Sequence, residues 1–168
     1  MKQAPRDRPS ARGLRVAIVR SLFNRPVTDG LLEGAREALA DMGAGRLAVF
    51  DLPGAFELPL AAQAAARSGR FDAVVALGAV IEGETDHYEH VARETARGLA
   101  AVARETGVPV AFGVLTVRQE EQARRRAAPG AGNKGAEAAR AAVMTALALR
   151  SIQAGRGGPP ARPPRRRR

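Results

Sequence analysis

Four short apolar runs recur along this chain, RVAIV (15–19), RLAVFD (46–51), FDAVVALG (71–78) and VPVAFGVL (108–115), and each is nearly continuous rather than alternating. A strand with one wet face alternates apolar and polar residues. A continuous run needs cover on both faces, which is the condition of a parallel sheet held between helix layers. The stretches between the runs have helical spacing. TDGLLEGAREALADMG (28–43) sets Leu31, Leu32, Ala35, Ala38 and Leu39 on one face and stops at Gly43. Residues 58–67, 89–106 and 133–150 behave similarly, with an arginine-rich helix around 119–127. The order β-α-β-α-β-α-β-α-α, with right-handed crossovers, predicts an α/β doubly wound sheet of four parallel strands.

Only 4% of the 168 residues are aromatic while 45% are hydrophobic, so the layers must close through small aliphatic side chains. The charge of +10 suggests a polyanion partner until its placement is considered. Residues 1–14 carry Lys2, Arg6, Arg8 and Arg12 against Asp7, a net +3; residues 151–168 carry six arginines and no acid, a net +6; residues 15–150 therefore hold only +1. The expected organisation is a disordered basic extension over 1–14, one domain over 15–150 and a disordered Gly/Pro/Arg-rich tail over 151–168. Nucleic-acid binding is then expected to be weak at most and confined to the arginine tail. No run approaches the length of a membrane span, and no apolar segment follows the N-terminal charges, so the expected location is cytoplasmic. Without cysteine, chemistry falls to His, carboxylates, Lys and hydroxyls.

In such a sheet, ligands bind beyond the carboxyl ends of the strands. The segment GAVIEGETDH (78–87) holds one of the two histidines. Asp86 with Glu89 resembles a capping box that starts a helix near 87 and leaves free N–H groups near Gly83 to Thr85, an anion site. His87 in that first turn would feel the positive end of the helix dipole, which favours a neutral imidazole able to accept a proton. His87 and His90 can equally be solvated helix residues, and an H-x-x-H pair beside Glu84 and Glu89 is a weak metal signal. After the first run, Phe23 and Asn24 offer either core or a platform for a flat ring. In PGAFE, Glu57 is either a helix N-terminal charge or an acceptor for a polyol or amine. RRRAAPGAGNKG (124–135) is no Walker A, because Gly135 stands where a hydroxyl residue would follow Lys134.

Taken in order, FN, PGAFELPLAA, DAVVALGAVIEGETDHYEHV, ETGVPVAFGVLT, EQARRR and AGNKGAEAA closely resemble the lumazine synthase family over roughly residues 15 to 150. The resemblance implies a three-layer α-β-α, flavodoxin-like fold. It also implies condensation of 5-amino-6-(D-ribitylamino)uracil with 3,4-dihydroxy-2-butanone 4-phosphate to 6,7-dimethyl-8-ribityllumazine, the penultimate step of riboflavin biosynthesis, with loss of phosphate and water. No cofactor or metal is expected for that chemistry. By the same resemblance His87 is the proton carrier, Phe23 stacks on the pyrimidine, Ala55, Phe56 and Glu57 grip the ribityl side, and Ala79, Val80 and Ile81 offer backbone to the ring. Glu84 and Thr85 hold the butanone phosphate. Phe112 and Arg126 reach in from a neighbouring subunit, the arginine onto the phosphate. A homo-pentamer or a shell of twelve pentamers (sixty subunits) follows, with riboflavin synthase as a candidate associate. Two positions depart from the family pattern: Glu82, often arginine, and Gly130, often lysine, which follows an unusual Pro129.

Overall fold

The computed structural model describes residues 9–155. Residues 1–8 and 156–168, which carry most of both basic segments, lie outside the described residues. The elements run β1 (Arg15–Ser21), α1 (Arg25–Asp41), β2 (Arg46–Leu52), α2 (Leu58–Arg67), β3 (Ala73–Ile81), α3 (His87–Thr106), β4 (Val110–Val117), α4 (Glu120–Ala127) and α5 (Lys134–Gln153). The four strands form one parallel sheet in the order β2-β1-β3-β4. This is the expected three-layer, doubly wound, flavodoxin-like architecture.

The two faces of the sheet bury separate cores. On one face Val16, Ile18, Ala73, Val75 and Leu77 pack against Leu31, Ala35 and Leu39 of α1 and Ala139, Ala142 and Val143 of α5. On the other, Ala17, Val19, Val74 and Ala76 meet Leu58 and Ala62 of α2 and Leu99 and Val102 of α3. Small residues set the close approach of α1 and α5: a methyl group at Gly34 would overlap the Asn133 carboxamide, and one at Gly135 would overlap the Leu31 carbonyl. Packing begins ahead of β1, because Ala11 and Leu14 are fully buried and the Ala11 N–H donates to Met42 O at 2.7 Å.

The continuous apolar runs hold their both-faces burial in the central strands β1 and β3. Edge strand β2 differs: Leu47 and Phe50 are exposed, while Ala48, Val49 and Leu52 are only partly buried against the cores. At β2 the apolar run overstates burial. Among the described residues no helix is long and apolar enough to cross a membrane.

Candidate active site

A cleft opens where the winding of the sheet reverses, between β1 and β3. Their pairing ends with Arg20 opposite Leu77. Beyond that point β1 stays with β2, Leu22 N–H donating to Leu52 O at 2.8 Å, while β3 stays with β4 as far as Ile81 opposite Val117. A parallel sheet that divides in this way presents strand-end backbone to a ligand.

Above the division lies a recess of about 340 Å³, lined among others by Phe23, Ala55, Phe56, Glu57, Ala79, Val80, Ile81, Thr85 and His87. These residues come from the three segments that follow β1, β2 and β3, the strand ends where a ligand is expected in such a sheet. Phe23 stands 69% exposed on the β1–α1 turn, a position of low packing value for so large a ring. Ala55 is buried, and its carbonyl accepts from Thr95 Oγ1 of α3 at 3.1 Å, which ties the PGAFE loop to the helix bearing His87. Glu57 occupies the N-cap position of α2 without a side-chain capping bond, and its Oε2 lies 3.0 Å from where a Gly54 Cβ would stand. The carboxylate is thus turned over the loop toward the recess. Asn24, Gly54, Gly83, Tyr88 and Val91 complete the lining. Tyr88 and Val91 are spaced to share one helical face, a signal the sequence does carry.

Helix α3 starts at His87, as the Asp86–Glu89 spacing predicts, but the capping box does not form. Asp86 makes no side-chain capping bond; its backbone carbonyl accepts from Glu89 N–H at 3.0 Å, and the Glu89 carboxylate lies 3.7 Å from Arg93. The Glu89 N–H is thus engaged by backbone, and the Asp86 side chain caps none of the N–H groups at this helix start. Thr85 faces the recess; Glu84 is exposed and does not line it. Both histidines are exposed, and among the described residues no group of three or more His, Asp or Glu side chains is arranged to hold a metal ion.

Phe112 and Arg126 are not brought to this recess. They line a second depression of about 400 Å³ on β4, α4 and α5, together with Lys134 and Glu137, and the two linings share no residue. Phe112 is half exposed on an edge strand. Arg126, in the last turn of α4, donates to Gln122 O at 3.0 Å, and Lys134 pairs with Glu137 at 2.7 Å. The buried Asn133 side chain fixes this corner. Its amide donates to Gly30 O at 3.0 Å, Ala127 O at 2.9 Å and Ala128 O at 3.2 Å, while its Oδ1 accepts from Ala136 N–H at 3.0 Å.

Both departures from the expected pattern have local explanations. Glu82 lies 3.8 Å from Arg118, so its charge has a partner at the rim. Gly130 has φ of 109°, a conformation that a lysine would adopt only under strain, and its carbonyl accepts from Asn133 N–H at 3.1 Å. On β1 the nearly buried Arg20 makes a fork to Asp51, both bonds at 2.8 Å, and also binds Asp29. The hydrogen bond from Arg20 holds the Asp51 carboxyl below its ordinary range, against the opposing effect of burial. The triad braces β1, β2 and α1 under the turn that carries Phe23. Residues 13–150 match a family model described as 6,7-dimethyl-8-ribityllumazine synthase.

Proposed function

Because the chain belongs to the lumazine synthase family, we propose that it condenses 5-amino-6-(D-ribitylamino)uracil with 3,4-dihydroxy-2-butanone 4-phosphate to 6,7-dimethyl-8-ribityllumazine. One observation carries the reading: a single recess gathers an aromatic platform, a strand-end backbone, a carboxylate, a helix N-terminus and one imidazole. A flat ring lies on Phe23 with its edge along Ala79, Val80 and Ile81, and the ribityl hydroxyls reach Ala55, Phe56 and Glu57. The butanone phosphate sits at the start of α3, on Thr85 and the backbone beside it. Glu84 acts through its N–H, since its own carboxylate would repel the phosphate.

The chemistry is a sequence of proton transfers. The pyrimidine amine adds to the ketone and water leaves to give an imine. Removal of the neighbouring C–H proton expels phosphate, the resulting enol becomes a ketone bearing a new methyl group, and the ribityl-bearing nitrogen closes the second ring with loss of water. His87, at the recess mouth, takes the C–H proton and returns it to the departing oxygen. The helix terminus and Arg126 stabilise charge on the leaving phosphate.

Because Phe112 and Arg126 lie in a different depression, a neighbouring copy completes the site, and the working form is an oligomer, a pentamer or a shell of pentamers. The test is to mix both substrates with the protein and follow product absorbance. Product is expected, and His87→Ala should lower turnover roughly ten- to ten-thousand-fold. Tight binding of the ring substrate without any product would instead mark a binding module.

A further inference from the structure

We propose that Asn24 is the positioning residue of the ring half of this site: it takes over the ladder bond that β1 gives up and so holds the ring platform and the strand-end backbone in fixed relation. The inference rests on the proposed reaction for its substrate and on geometry for its substance. Among the described residues Asn24 is the only non-glycine with a positive φ, 57°, a conformation an asparagine tolerates better than most side chains but still at some cost. It also stands at the N-cap of α1, where an asparagine normally accepts a bond from the first turn. Here it makes no capping bond. Its amide instead donates to Ala79 O on β3 at 2.8 Å, fifty-five residues away.

The register explains why that carbonyl needs a donor. Arg20 faces Leu77, so two residues further Leu22 would face Ala79, and a continued parallel ladder would give the Ala79 carbonyl the Phe23 N–H. That N–H is turned back onto Ser21 Oγ at 3.2 Å. The left-handed turn at Asn24 swings its amide into the vacated place. Phe23 is thereby freed to face the recess, and the backbone of β3 keeps its line with a wedge open beside it. A strand that simply continued would close this wedge. A turn without the amide would leave a strand-end carbonyl unpaired beside the ligand.

The test compares Asn24→Gly, which keeps the left-handed turn and loses the amide, with Asn24→Asp, which sets a carboxylate against the Ala79 carbonyl. For Asn24→Gly the urea midpoint should stay close to that of the parent, and KM for the ribitylaminouracil should rise about tenfold. KM for the butanone phosphate should not move. Asn24→Asp should raise the ring KM at least as much. A crystal structure of Asn24→Gly should show Phe23 displaced or the Ala79–Ile81 backbone shifted. An unchanged ring KM in both variants, or both KM values rising in parallel with lost stability, would leave Asn24 a structural turn residue only. If the parent makes no lumazine, the proposed reaction fails, and Asn24 is judged separately by that crystal structure and by titration with 6,7-dimethyl-8-ribityllumazine: an unmoved Phe23 and an unchanged Kd overturn the inference.

Discussion

Asn133 and Gly34 should behave as one unit in a double-mutant cycle. Asn133 is 1% exposed, and its side chain caps α5 while supplying donors to carbonyls at the end of α4 and on α1. Truncation in Asn133→Ala removes the cap, worth about 1 kcal/mol, and leaves the buried Ala127 carbonyl without its donor, about 1–3 kcal/mol. A loss of about 3 kcal/mol is expected. Gly34→Ala alone would gain about 1 kcal/mol from helix propensity, but its methyl overlaps the Asn133 carboxamide, an overpacking cost of about 1–3 kcal/mol. Once Asn133 has been truncated, the methyl enters the vacated space and the propensity gain remains. The coupling should therefore be favourable by about 1–3 kcal/mol, the overpacking cost that truncation removes. Urea unfolding of the four proteins, at one subunit concentration because assembly adds to apparent stability, reads it directly. Additivity within about 0.5 kcal/mol would show that the two positions do not share this space.

Three further outcomes follow from the same geometry. Asp51 has a lowered pKa in the folded chain, because the Arg20 hydrogen bond outweighs burial, so its contribution to stability is complete above the unfolded value near 4 and is lost as pH falls through the lower folded value. The stability gap between the parent and Asp51→Asn should therefore narrow as urea midpoints are followed from about pH 6 to pH 3, and a constant gap would refute the linkage. If sites are shared, mixed and reassembled His87→Ala and Arg126→Ala subunits should recover activity at about a quarter of sites, by random assortment; no recovery would confine each site to one subunit. Phe23→Ala should raise the ring KM while leaving stability within about 0.5 kcal/mol, since the ring is 69% exposed; a large loss of stability would make Phe23 a packing residue.

The sheet was legible because its signal is local: each strand announces itself within eight residues, and β1 and β3, covered on both sides, have the burial that their composition predicts. Boundaries were less legible where a turn decides them. Helix α1 begins at Arg25 rather than 28, since the left-handed Asn24 and a proline in the first turn start it early. β3 runs on to Ile81, which shortens the loop before His87 to residues 82–86. Of the residues grouped by resemblance around the ring and ribityl side, all but Phe112 line one recess. The bonds that hold them there, Asn24 to Ala79, Thr95 to Ala55 and Arg20 to Asp51, span 31 to 55 residues and leave no periodic trace. Glu84, exposed between Gly83 and Thr85, lies outside that lining.

The two depressions are held by different devices, and this bears on how the proposed activity can be altered. The proposed ring half hangs on the β1–β3 division, where paired register ends at Arg20 and Leu77 and the Asn24 amide donates to Ala79 O. The arginine half hangs on Asn133, which locks the end of α4 to α1 and so fixes the last turn that carries Arg126. Helix α4 has few buried anchors of its own, Ala123 and Ala127, and it ends where the Asn133 bonds begin. Loosening that corner therefore moves Arg126 before it moves the sheet. Asn133→Ala, at temperatures where it stays folded, should raise KM for the butanone phosphate and spare the ring KM, the mirror image of the Asn24 variants. Steady-state titration of each substrate separates the two, and a ring KM that rose equally would mean that the halves are mechanically one.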